Sequence, residues 1–177
     1  QSLEDITCMR AIPNMTVIVP ADGVETKAVI HAITDYKGPV YVRLGRSAVP
    51  TINDEATYKF EIGKGVLLKE GKDVTIVATG IMVSKALEAA EVLAAEGINA
   101  EVANIHTIKP IDKELLVETA KKTGAIVTAE EHNVIGGLGS AVAEVIVESY
   151  PVPMRKVGTM DTFGESGKPD DLLKKYN

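Results

Sequence analysis

The sequence predicts an α/β chain with a mainly parallel sheet, in which the tail of one domain is followed by a complete smaller one. Three observations carry this. β-rich runs alternate with amphipathic helical segments along most of the 177 residues, the pattern of repeated strand–helix–strand units. The connections are short and marked by Gly, Pro, Asn and Asp. One stretch breaks the alternation: residues 50–64 hold Pro50, Asn53-Asp54 and mixed charges with no apolar period. The predicted division is therefore a partial domain over 1–50, a linker over 51–61 and a second domain over 62–177.

Each element has its own reason. Residues 2–11 read as a helix capped by Ser2, with Asp5 three residues on and Leu3, Ile6 and Met9 as its apolar face. Cys8, within it, reads as a small buried hydrophobe. Pro13-Asn14 ends the helix, and Met15 to Val19 is a strand. Asp22 and Glu25 form a capping box for a helix over 22–36, loosely apolar at Val24, Ala28, Ile30 and Ile33. Gly38-Pro39 stops it, and Val40 to Leu44 is the next strand, closing a right-handed crossover.

Beyond the linker, a strand at 65–69 precedes a hairpin signal, Glu70-Gly71-Lys72-Asp73. Val74 to Ala78 is a buried strand. A helix over 82–96 carries Val83, Leu87, Ala90 and Ala94 on one face, with Leu93 at its edge, before Gly97. Ala100 to Ile105 is the following strand. Asp112 caps a helix to residue 122, with Glu114 in its first turn, Lys121 and Lys122 in its last and Gly124 after it, as the helix dipole favours. Ala125 to Ala129 is a strand, Gly136 to Ser149 a helix, Arg155 to Val157 a strand and Asp170 to Tyr176 a terminal helix.

Composition narrows the function classes. Hydrophobic residues make up 45% and charged residues 25%, so a core of ordinary size is available. Aromatics stand at 4% with no Trp, which argues against base or sugar stacking as the chain's work. A formal net charge of −6 argues against nucleic acid and anionic membranes as partners. The most apolar run, Val74 to Val83, is interrupted by Thr75, Thr79 and Gly80, too short for the roughly 20 residues of a membrane span. The acidic start, Gln-Ser-Leu-Glu-Asp, lacks the features of a secretory signal, and a chain opening on Gln1 reads as processed or as a piece of something longer.

Ligands of open parallel sheets bind beyond the carboxyl ends of strands, and three such ends carry polar residues. The first is Arg43-Leu44-Gly45-Arg46-Ser47. Alternation sends Arg43 and Leu44 to opposite faces, and Arg46 follows a glycine past the strand end, where a planar guanidinium can grip a phosphate or carboxylate. The plain alternative is a surface arginine paired with an acid. The second is Glu130-Glu131-His132-Asn133 with the turn Gly136-Gly137-Leu138-Gly139-Ser140. It offers acid–base, metal or anion chemistry, or simply a strand-to-helix loop whose helix start is satisfied by Ser140 or Asn133. The third, His106-Thr107-Ile108-Lys109-Pro110, reads as a loop entering a helix. No nucleophile elbow, phosphate-binding loop or cysteine pair occurs.

The runs now described resemble a known family. Gln1-Ser2-Leu3-Glu4-Asp5, Met9 to Met15 and Pro20-Ala21-Asp22 resemble the end of the pyrimidine-binding domain of transketolases, and Arg43 to Pro50 the strand end that follows. Gly71 to Val74 through Ile108-Lys109-Pro110, and Glu130-Glu131-His132 through Gly139-Ser140, resemble the C-terminal domain of the wider thiamine-diphosphate superfamily. Phe163 to Leu173 is most similar to transketolase proper.

The resemblance implies the C-terminal part of a transketolase: the end of a pyrimidine-binding domain and a complete three-layer α/β C-terminal domain. It implies an enzyme of the pentose phosphate pathway that moves a two-carbon ketol unit between sugar phosphates with thiamine diphosphate and Mg2+. It assigns to Arg46 the grip on the substrate phosphate and gives the C-terminal domain a structural, dimer-packing role. The family histidine that precedes the glutamine matching Gln1, the glutamate that activates the cofactor ring and the Gly-Asp-Gly metal motif are not in this sequence. No catalytic, cofactor or metal residue is therefore placed in the chain, which is expected to bind neither cofactor alone and to be inactive alone. The implied setting is cytoplasmic, with an N-terminal transketolase half as partner in a homodimer or heterotetramer. Two other readings stay open: a β-subunit piece of a 2-oxoacid dehydrogenase or of a deoxyxylulose-phosphate synthase-like enzyme, and a ligand-free assembly domain. Dependence of sugar-phosphate turnover on Arg46 separates them.

Overall fold

A computed structural model describes residues 2–176; Gln1, which opens the resemblance, and Asn177 lie outside the described residues. The first elements are α1 (Asp5–Ala11), β1 (Thr16–Ile18), α2 (Gly23–Thr34) and β2 (Val40–Val42). The rest are β3 (Val66–Lys69), β4 (Val74–Ala78), α3 (Met82–Ala95), β5 (Ala100–Asn104), β6 (Thr107–Lys109), α4 (Lys113–Thr123), β7 (Ile126–Asn133), α5 (Leu138–Ser149), β8 (Met154–Thr159) and α6 (Pro169–Lys175). No helix among the described residues is long and apolar enough to cross a membrane.

Five strands form the larger sheet in the order β3-β5-β4-β7-β8. Every pairing in it is parallel except that of β3 with β5. Alternation along β4 builds the layers. Val77 points to a core shared with Leu116 and Ala120 of α4 and with Leu138, Val142 and Val145 of α5. Ile76 and Ala78 point to a second core, with Val83, Ala86 and Ala90 of α3. The sheet thus lies between α3 on one face and α4 with α5 on the other, a three-layer α/β arrangement. The smaller sheet, β2-β1-β6, is parallel between β1 and β2 and antiparallel between β1 and β6.

Helix signals that act within a few residues are met. Asp22 Oδ1 accepts the Glu25 N–H at 2.8 Å at the start of α2. Asp112 Oδ1 accepts the Leu115 N–H at 3.1 Å at the start of α4, and Gly124 ends that helix in the left-handed region.

Other expectations are corrected. Helix α1 begins at Asp5 rather than residue 2, because the Ser2 hydroxyl and the Leu3 N–H both donate to Glu4 and Asp5 is taken up elsewhere. Cys8 is exposed: Ile6 is the buried position of α1, and two residues on, about 200° around the helix, faces water. The buried positions of α2 are Glu25 and Val29, whereas Ile30 is exposed. On α3, Val83, Ser84, Ala86 and Ala90 are buried and Ala94 is exposed. The run Glu70–Asp73 is no hairpin, since β3 pairs with β5 on its far side and not with β4. His106–Pro110 is no simple loop, since Thr107–Lys109 returns to the smaller sheet as β6. Strand β7 runs on through Asn133, so Glu130–Asn133 belongs to a strand. Helix α5 begins at Leu138 rather than Gly136, and its first N–H groups are met by neither Ser140 nor Asn133.

Candidate functional site

The C-terminal ends of β1, β2, β4 and β7 open onto one groove of about 1590 Å³. Its lining brings together residues 2–5, Val19 to Gly23, Tyr41 to Val49, Thr79 to Met82, Glu130, Glu131 and the loop Phe163 to Gly167. Two of the three strand ends singled out from sequence therefore meet there, 43–47 and 130–131. The third does not line it.

That third end is structural. His106 is buried, with Nδ1 2.9 Å from the Thr107 hydroxyl and its ring tilted against Phe60 at 4.6 Å between centroids. Burial lowers its pKa to about 4, so it stays neutral near pH 7.

At the first end the two arginines divide. Arg43 is drawn in, with 14% of its side chain exposed. Its Nε donates to Asp5 Oδ2 at 2.9 Å and its Nη2 to the Ser2 carbonyl at 3.0 Å. Its Nη1 lies 3.8 Å from Glu131 Oε2. The Tyr41 hydroxyl donates to the same Asp5 oxygen at 2.7 Å. Burial pushes the Asp5 carboxyl up, but Tyr41 and Arg43 outweigh it and hold its pKa below the usual range. Arg46 is the opposite case: exposed, on the groove wall, with no side-chain hydrogen bond or salt bridge to any described residue. The alternative of a surface arginine paired with an acid is not what the described residues present.

At the second end the carboxylates also part. Glu130 is fully buried, and its two oxygens accept the N–H groups of Leu138 at 2.7 Å and Gly139 at 2.8 Å, the first turn of α5. Glu131 is half exposed in the groove. His132 is buried, accepting the Ile6 N–H at Nε2 (3.2 Å) and donating from Nδ1 to the Asn133 carbonyl (2.7 Å). Those partners fix the neutral tautomer, and burial lowers its pKa further from protonation. Neither ring nitrogen is left for a substrate or metal. Among the described residues, no three His, Cys, Asp or Glu side chains gather as metal ligands.

Sequence reasoning missed the joint beneath the groove. Glu25 Oε2 accepts the Ala21 N–H at 2.6 Å, and Glu25 Oε1 accepts Asn104 Nδ2 at 2.9 Å and the Tyr58 hydroxyl. Burial raises its pKa. Asp22 Oδ2 takes the N–H groups of Ile52 at 2.8 Å and Asn53 at 2.9 Å, so α2 grips the segment between the two predicted domains. The partners lie far apart in the chain, and no local signal announces them.

Comparison with known proteins agrees with this architecture. The transketolase C-terminal domain matches residues 63–177 and the transketolase pyrimidine-binding domain matches residues 1–51. A 6-deoxy-6-sulfo-D-fructose transketolase subunit, SqwH, of Clostridium sp. (strain MSTE9) is 53% identical over 175 residues, which is 99% of this chain and 54% of that protein. A putative transketolase C-terminal section of Methanocaldococcus jannaschii is 51% identical, over 99% of this chain and 55% of its own length. Among solved structures, a split-gene transketolase described as an inactive β4 tetramer superimposes with a TM-score of 0.96 at 60% identity, over 99% of this chain and 57% of that one. The chain spans about half the length of these relatives.

Proposed function

The chain belongs to the transketolase family, and from that membership we propose that it serves, within an intact enzyme, the transfer of a two-carbon ketol unit between sugar phosphates, with Arg46 gripping the substrate's terminal anion. The observation that carries the reading is the state of Arg46. It follows a strand end, faces the groove and has no internal partner among the described residues, whereas Arg43, three positions earlier, is bonded to Asp5 and the Ser2 carbonyl. A guanidinium left without a carboxylate in a groove is suited to a bidentate grip on a tetrahedral oxyanion. A phosphate and the sulfonate in the Clostridium relative's name share that chemistry.

Thiamine diphosphate is the cofactor of the family. Among the described residues the buried acids Glu130 and Asp22 accept backbone N–H groups, and no metal-ligating trio is gathered. We assign cofactor and Mg2+ to the rest of the assembled enzyme, to which this chain contributes Arg46 and structural contacts in a homodimer or heterotetramer with an N-terminal partner.

The test is ketol transfer from xylulose 5-phosphate to ribose 5-phosphate by the full-length subunit with its partner, thiamine diphosphate and magnesium. Decarboxylation of pyruvate runs in parallel. Transfer is expected. Decarboxylation without transfer would place the chain with 2-oxoacid dehydrogenases. Arg46→Ala should weaken transition-state binding of the phosphorylated sugar by about 1.5–3 kcal/mol, the worth of a hydrogen bond to a charged group. An unchanged kcat/KM sinks the assignment.

A further inference from the structure

The loop that carries Arg46 is supported only from its ends. From Leu44 to Thr51 no hydrogen bond tethers the chain to any described residue. Upstream, the last tie is the Arg43 N–H to the Ile18 carbonyl at 2.8 Å, which extends the pairing of β2 with β1. Downstream, the chain is next caught by Asp22 at Ile52 and Asn53. At its start the loop is also sterically open: a Cβ added at Gly45 would meet nothing within 4 Å, and Leu44 is 58% exposed. Where Arg46 points is therefore set by how firmly β2 ends.

The end of β2 is held by a side chain. The Arg43 guanidinium joins three of the segments that line the groove: residues 2–5 through Asp5 Oδ2 and the Ser2 carbonyl, β2 itself, and the end of β7 through Glu131. Tyr41, on the same strand and face, donates to the same Asp5 oxygen and doubles the tie. An exposed ion pair of this kind would contribute little. This one is mostly buried and multiply bonded, so it restricts geometry. Arg43 directs two of its donors inward, at Asp5 and the Ser2 carbonyl, and holds Glu131 at 3.8 Å, whereas Arg46 has no such partner among the described residues.

We infer that Arg43, clamped by Asp5, is a positioning residue that acts through Arg46: it holds the strand end so that the otherwise untethered loop presents its guanidinium to the substrate's terminal anion. The inference rests on the reading of Arg46 given above, and it makes Asp5 the second member of the device.

The experiment compares Arg43→Met, Arg43→Lys and Asp5→Asn in the full-length subunit assembled with its partner and thiamine diphosphate. The readout is the ratio of kcat/KM for a phosphorylated aldose acceptor to that for its unphosphorylated counterpart. A misplaced binding group costs up to about a hundred-fold, and a partial loss of about ten-fold in this ratio is expected for Arg43→Met. Arg43→Lys, which can still reach Asp5 but cannot fork to Ser2, should fall between. In an Arg46→Ala background, Arg43→Met should lower the ratio no further. Should Arg43→Met fail to assemble, Asp5→Asn carries the test, since it keeps the side chain's shape and removes its charge. A ratio unmoved by both Arg43→Met and Asp5→Asn, with Arg46→Ala lowering it, would leave Arg43 a structural ion pair and overturn the inference. So would a further fall in the Arg46→Ala background. A ratio unmoved by Arg46→Ala itself would bring down the reading of Arg46 first.

Discussion

A carboxylate excluded from water has to be matched by donors, and Glu130 is matched by two backbone N–H groups at the mouth of a helix. Burial still raises its pKa, and the Gly139 and Leu138 N–H groups pull it back only in part. The fit is close: a Cβ on Gly137 would come within 2.0 Å of Glu130 Oε2. Glu130→Ala should therefore orphan two donors and cost about 3 kcal/mol, read as a lower urea midpoint at unchanged slope. A loss below about 0.5 kcal/mol, the scale of a neutral surface change, would mean that water can replace the cap. This cap was not legible in the sequence, and the reason is physical. Sequence signatures of capping are local, reading from a side chain to an N–H two or three positions on. Glu130 reaches N–H groups eight and nine residues ahead, from the preceding strand. Asn133 and Ser140 are instead used within the turn, accepting the N–H groups of Ile135 and Gly136. The position of Arg46, exposed past a strand end on the groove wall, could be read because a cation after a glycine at a strand end is a local signal. Its neighbour Arg43 was placed on a face, but its partner Asp5, 38 residues away, was not readable.

At the scale of elements the same division appears. Strand β4 and helix α4 lie where the sequence placed them, to within a residue, because an apolar run, an Asp cap and a left-handed Gly each act on near neighbours. Helix α2 was found, but its inward face was not. Glu25 turns inward because Tyr58 and Asn104, 33 and 79 residues away, supply donors for it. The strand order failed for a related reason. The turn at 70–73 looks like a hairpin, yet it carries the chain past β5 rather than back onto β3. The N–H groups of Lys72 and Asp73 both donate to the Asn99 carbonyl, at 3.0 and 3.1 Å, and so pin the turn to the strand that arrives later. Gly71 makes this crossing possible. A Cβ there would lie 2.2 Å from the Glu101 nitrogen and 2.4 Å from the Ala100 carbonyl carbon, both backbone atoms of β5 that cannot step aside cheaply. Gly71→Ala is accordingly expected to destabilise the larger sheet by more than 3 kcal/mol, the overpacking range at its upper end. Thermal unfolding would show it as a melting temperature lowered by about 10 °C or more for a domain of this size. A variant that melts with the parent would show that the turn does not need this close approach.

Across the whole molecule, the boundary that composition suggests near residues 51–61 is a boundary of the sequence more than of the packing. Strand β6 leaves the second segment and pairs with β1 of the first. One core contains Ile6, Val17 and Val19 together with Val77, Ile105, Ile108 and Leu138. Lys109 donates to the carbonyls of Arg10 and Ile12 at the end of α1, His132 accepts the Ile6 N–H, and the Arg10 guanidinium reaches the Gly136 carbonyl at 2.6 Å. The groove inherits its geometry from this joint, because its walls are the ends of strands from both sheets. The grip proposed for Arg46 on one wall requires that the other wall does not drift. Unfolding is therefore expected to be a single cooperative event for this chain, two-state despite the two matched domains. Urea unfolding followed by near-ultraviolet circular dichroism draws its signal from tyrosines, three of which (Tyr36, Tyr41 and Tyr58) lie before β3 and two (Tyr150 and Tyr176) after β8 begins or just ahead of it. Far-ultraviolet dichroism is dominated by the five-stranded sheet and its helices. Coincident curves with one midpoint are the expected result. Separated midpoints would mean that the first 50 residues dock as an independent body, and the groove between the sheets would then open and close with that docking rather than stand preformed.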